Sequence, residues 1–148
     1  MAVDLSQGRD VALQRNPANG KYDVFFSTAG PSRGNWVLDN TRTHAVLTTL
    51  VSRRRGRRPG SPAEEGGYYF DPQNRRGTLI WTITQDRMTT ASQLRAFAED
   101  GMQQLADRKQ ISNYQVTAQR VRPGVFRADV SWSLPDGVRV PPLSFDLR

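Results

Sequence analysis

The stretch Phe126-Arg127-Ala128-Asp129-Val130-Ser131-Trp132-Ser133-Leu134 decides the fold class, because it alternates apolar and polar residues without a break. Side chains of a β-strand point to opposite faces with a period of two. Such a stretch therefore predicts a strand with one face buried and one face wet, as in an antiparallel sheet. Upstream, Arg122-Pro123-Gly124-Val125 places Pro and Gly at the centre of a type II turn. Before that turn, Tyr114, Val116 and Ala118 alternate with polar partners. Downstream, Leu134-Pro135-Asp136-Gly137 forms the next turn, and Val138 and Val140 start a last strand that Pro141-Pro142 interrupts and Leu143, Phe145 and Leu147 resume. Paired prolines cannot donate to a ladder, so this strand belongs at an edge. The last third of the chain is thus predicted to be a three-stranded meander.

Working toward the N-terminus, the period changes from two to that of a helix. Between Ala91 and Lys109, the residues Leu94, Phe97, Ala98, Gly101, Met102 and Leu105 share one face, with Arg95, Glu99, Gln103 and Asp107 outside. Thr89 or Thr90 offers its N-cap. Residues 77–84, centred on Leu79-Ile80-Trp81-Thr82-Ile83, fit a buried strand or a helical turn equally well. A first helix is expected from Asp39–Thr41, with Val46, Leu47, Leu50 and Val51 on one face, ending in the arginine run. Residues 10–26 read as an N-terminal hairpin: Val11 and Leu13, then the turn formers Asn16 to Gly20, then Tyr22, Val24 and Phe26. The predicted class is α+β, a single domain over 1–148. Two main helices pack on an antiparallel sheet that includes the meander.

Composition narrows the function. The chain has 148 residues, 36% hydrophobic and 24% charged, enough for one ordinary core. It has no cysteine, which removes disulfides, thiol catalysis and cysteine metal sites. Neither a signal peptide nor a membrane-spanning apolar run is found, so folding in a cytoplasm is expected. The one histidine, His44, near the start of the first helix, reads as a surface or capping residue. Glu64-Glu65 lie in a Gly/Pro loop, and Glu99-Asp100 diverge on a helix; both pairs read as solvated charges rather than catalytic carboxylates. No phosphate-cradling glycine motif occurs. The expectation is a protein without catalytic residues, cofactor, metal or small-molecule substrate.

The net charge of +7 comes from 21 Lys+Arg against 14 Asp+Glu. Arg53, Arg54, Arg55, Arg57 and Arg58 place five of the cations in one short run, followed by a loop to residue 76 rich in Gly and Pro. Arginine forks suit carboxylates and phosphates alike. An acidic protein partner or a plain solvated loop fits the run, and nucleic-acid binding is the alternative, with no stacking aromatic inside the run itself. Tyr68-Tyr69-Phe70, three aromatics near arginines, match the residue types enriched at interface cores, and equally fit two rings covering the sheet with the third incidental.

From Thr41 onward the layout resembles the small baseplate wedge proteins of Mu-like contractile-tailed phages, relatives of the lysozyme-like wedge subunits of other phages and of type VI secretion baseplates. The resemblance rests on a helix ending in an Arg-rich stretch (Leu47 to Arg55), then Gly67-Tyr68-Tyr69, then Arg76-Gly77-Thr78-Leu79-Ile80-Trp81, then a long helix with Asp100-Gly101. Two departures stand out. The family's Glu-Pro-Arg motif is replaced by Arg57-Arg58-Pro59, and its usual second-aromatic Trp by Tyr69. The resemblance implies a structural subunit of the virion baseplate, assembled in the host cytoplasm. Its partners would be larger wedge proteins, with tail tube and sheath nearby. The partner-facing residues would be Arg53, Arg54, Arg55, Arg57, Arg58, Tyr68, Tyr69, Phe70, Arg75, Arg76 and Trp81.

Overall fold

The alternation along residues 126–134 is realised as a central strand. The computed structural model describes the strand residues 10–11, 13–15, 22–24 and 38–39, and then residues 41–67, 71, 73–84 and 87–148. The chain forms two compact units, residues 1–47 and 48–148.

In the first unit, strand β1 (Asp10–Val11) pairs antiparallel with β4 (Leu38–Asp39). Strand β2 (Leu13–Arg15) pairs antiparallel with β3 (Tyr22–Val24), with Leu13 opposite Val24 and Arg15 opposite Tyr22. The two arms of the expected hairpin are therefore paired, while its turn, residues 16–20, lies outside the described residues. Helix α1 (Thr43–Val51) starts later than expected. Asp39, a candidate cap, is instead part of β4, and the Thr41 hydroxyl meets that of Thr43 at 2.7 Å. The helix also ends before the arginine run, not within it.

In the second unit, strands β5 (Ser112–Arg122), β6 (Val125–Ser133) and β7 (Leu143–Leu147) form an antiparallel sheet in the order β5-β6-β7. Phe126, Ala128, Val130 and Trp132 of β6 are all buried, together with Val116 of β5 and Leu143 of β7. On the opposite face Arg127 pairs with Asp146, its register partner on β7, at 2.9 Å. Asp129 likewise accepts a hydrogen bond from the Ser144 hydroxyl opposite it. The turn after β5 has Gly124 at φ 73°, as a type II turn requires. After the second turn, the Val140 amide donates to the Trp132 carbonyl before β7 begins beyond the prolines.

Helix α2 (Thr90–Asp107) lies on β5 and β6. Leu94, Ala98, Met102 and Leu105 are buried on its inner face, as the periodicity requires, while Phe97 is half-buried. The helix N-terminus departs from expectation. Thr89 makes no side-chain cap; the Thr90 hydroxyl instead accepts the Arg87 amide at 2.9 Å. At the other end Lys109 adopts φ 56°, and the Gln110 amide returns to the Leu105 carbonyl at 3.0 Å, which closes the last turn. Among the described residues no helix is long and apolar enough to cross a membrane.

Candidate interaction site

Beyond α1 the chain carries its arginines through irregular backbone, which needs partners for every buried N–H and C=O. It finds them in residues far along the sequence. The Thr78 amide donates to the Ser52 carbonyl at 2.9 Å and the Arg54 amide to the Thr78 carbonyl at 3.0 Å, so Arg53 and Thr78 form a parallel bridge. Gly67 donates to the Arg53 carbonyl at 2.9 Å, and Gly56 and Glu65 exchange two hydrogen bonds. The side-chain amide of Asn74 takes both polar groups of Arg55: its oxygen accepts the Arg55 amide at 2.7 Å and its nitrogen donates to the Arg55 carbonyl at 2.9 Å. These bonds order the backbone of the run, while Arg53, Arg55 and Arg57 stay exposed.

Trp81 completes the frame. Its indole N–H donates to the Arg54 carbonyl at 2.9 Å, and the guanidinium carbons of Arg53 and Arg58 stand over its ring, 5.8 and 5.3 Å from the centroid. Cations in that position are attracted by the ring quadrupole. The segment that was ambiguous in sequence is a 3-10 turn, Ile80–Thr82, entered from Thr78. Thr78 is buried and donates its hydroxyl to the Leu50 carbonyl at 2.9 Å. Gly77 is indispensable to this entry. It has φ 83°, and a Cβ there would sit 2.5 Å from the Ser52 carbonyl oxygen. Gly101 of α2 permits the same approach from the other side, since a Cβ would lie 2.7 Å from the Thr78 methyl.

The expected interface residues thus divide. Arg54 is turned inward and bound at 2.8 Å to Asp100 of α2, whose side chain stays 47% exposed. Arg58 lies 3.9 Å from Glu65. Arg53, Arg55, Arg57, Arg75 and Arg76 are exposed. Tyr68, Tyr69 and Phe70 lie outside the described residues. Sequence reasoning missed Asn74, Thr78, Gln104 and Arg108. Asn74 carried only the signal of a turn former, and Arg108 only that of a cation at a helix end.

Between the end of α1, α2 and this segment is a cleft of about 390 Å³. Three guanidinium-bearing residues line it, Arg53, Arg76 and Arg108, with Thr49, Ser52 and Gln104. The Gln104 amide nitrogen is committed to the Gly77 carbonyl at 2.8 Å. Among the described residues no carboxylate lines the cleft, although Asp71 interacts with two of its arginines, Arg76 and Arg108. Lost hydration pushes the Asp71 carboxyl up, but the amides of Arg75 and Arg76 and the charges of Arg76 and Arg108 outweigh this and hold it below the ordinary carboxylate value. The Arg76 amide donates to it at 2.6 Å. Among the described residues no three His, Asp or Glu side chains come together to hold a metal ion.

Comparison of the chain with protein-family models, with curated proteins and with solved structures found no match.

Proposed function

We propose that this chain is a non-enzymatic subunit of a larger protein assembly, and that it docks through the rigid basic face built on Arg53 to Arg58. The carrying observation is the frame beneath that face. Trp81, Asn74 and Thr78 fix the backbone of the run and leave Arg55 and Arg57 exposed. A surface fixed in advance loses less entropy on association than a mobile loop would. Exposed arginines in fixed positions complement an acidic protein surface and steer its approach. The assembly we have in mind is a contractile-tail baseplate, with the chain as its small wedge subunit. Support for that narrower reading is the order of motifs from Leu47 to Gly101.

The alternative, nucleic-acid binding by the same arginines, draws on the positive charge. Against it, the Trp81 ring is already engaged by two guanidinium groups instead of offering a platform for a base.

The test is a tagged pull-down from cells producing the native assembly, treated with nuclease and washed at low and high salt. Discrete protein partners are expected, and an Arg55→Glu/Arg57→Glu variant with unchanged melting should lose them. Recovery of nucleic acid alone, released by salt, would overturn the proposal.

A further inference from the structure

The cleft bounded by Arg53, Arg76 and Arg108 has a charge problem that the chain only partly solves. Three like charges around one concavity repel; Asp71 opposes Arg76 and Arg108, and Asp100, the other carboxylate at the rim, is bound to Arg54. Their backbones are nevertheless held. Arg53 has its bridge to Thr78 and its guanidinium over the Trp81 ring, Arg76 donates its backbone amide to Asp71 in a hydrogen bond, and Arg108 caps the end of α2. Cations at a helix C-terminus are favoured by the helix dipole, which steadies Arg108 but leaves its fork unused. None of the three forms an ion pair within 4.0 Å among the described residues. Guanidinium groups gathered in a concavity and short of counter-charge form a receptor for oxyanions.

We infer that this cleft receives the carboxylate side chains of an acidic segment of the partner protein. The inference rests on the reading that the partner is a protein, and it specifies the chemistry of the contact. Two features favour carboxylates over the phosphates of a nucleic acid. At about 390 Å³ the cleft is at the small end of ligand sites, room for a few side chains rather than a tracked backbone. Among the described residues no aromatic side chain lines it to stack a base. The 440 Å³ depression on the sheet offers a contrast, since Arg139 is the single cation lining it.

The experiment is fluorescence anisotropy with the full chain at physiological salt. The probes are a labelled hexaglutamate peptide and a single-stranded oligothymidylate of equal charge. Arg76→Gln and Arg108→Gln each remove one cation from the cleft, and Arg122→Gln removes one exposed cation of β5, outside both the cleft and the basic face. Each cleft variant should weaken peptide binding about tenfold, as expected for a lost charge-assisted hydrogen bond. Arg122→Gln should stay within about twofold, the range of a screened surface charge. Equal losses in all three variants, no binding of the peptide, or tighter binding of the oligonucleotide would overturn the inference. The pull-down separates the two levels. If Arg108→Gln captures the same protein partners as wild type, the cleft assignment fails and the docking proposal stands. If wild type captures no protein partner, the docking proposal itself fails.

Discussion

The meander and the basic segment are ordered in opposite ways. Residues 112–147 are held by a repeated device: ladder bonds between strands and an apolar face in which Val116, Ala128, Val130 and Leu143 are all buried. The described residues of 52–82 have no repeated device. One amide (Asn74), one hydroxyl (Thr78), one indole (Trp81) and one glycine at positive φ (Gly77) each perform a task that nothing else duplicates. Redundant order tolerates the loss of a single contact, whereas order by single contacts does not. In return, the second kind of order can place arginines on a surface, where a hydrophobic face cannot.

Two substitutions break that comparison at its strongest points. Leu94 is fully buried on the inner face of α2. Leu94→Ala should cost about 3–4 kcal/mol, the usual cost of an unfilled leucine cavity. It should shift the urea midpoint and weaken the meander together with α2. Gly77→Ala should cost less, about 2 kcal/mol, from a positive φ unsuited to alanine and the approach to the Ser52 oxygen. Its effect should be confined. Amide exchange should accelerate in residues 53–67 while β5 and β6 keep their protection. Equal loss of protection in the strands would show that the two regions unfold as one and are not ordered independently.

The same contrast explains what the sequence made legible. The meander, the Pro123-Gly124 turn and the inner face of α2 each repeat a signal, with a period of two or of 3.6, and the α+β class follows from them. The frame of the arginine run gives no such signal. Its contacts join Arg55 to Asn74, Arg54 to Trp81 and Leu50 to Thr78, pairs far apart in sequence with no period between them. The segment 77–84 stayed ambiguous for a related reason. Its short apolar run is bent into a 3-10 turn by bonds to Ser52 and Arg54, which no local pattern records. The cleft was hidden likewise, because Arg53, Arg76 and Arg108 converge only once α2 lies beside the run.

The smallest predicted effect sharpens the comparison most, because it concerns the ion pair that joins the two regions. Arg54 belongs to the basic segment and Asp100 to α2, and they meet at 2.8 Å with side-chain exposures of 20% and 47%. With one partner nearly half exposed, water and salt screen much of the attraction, so Arg54→Met should cost only about 0.5 kcal/mol. Methionine keeps an apolar stem in place of the arginine methylenes, so the change isolates the charge from the packing. In 1 M salt, where the screening length is about 3 Å, the difference from wild type should shrink toward zero. A cost that persists at high salt would mean that Arg54 acts through packing, and Asp100→Asn would then be nearly silent. If both single variants cost about the same and Arg54→Met/Asp100→Asn costs no more than either, the pair is a true coupling between the segment and the helix. The basic face would then be anchored to the hydrophobic core by a charge as well as by the approach at Gly101.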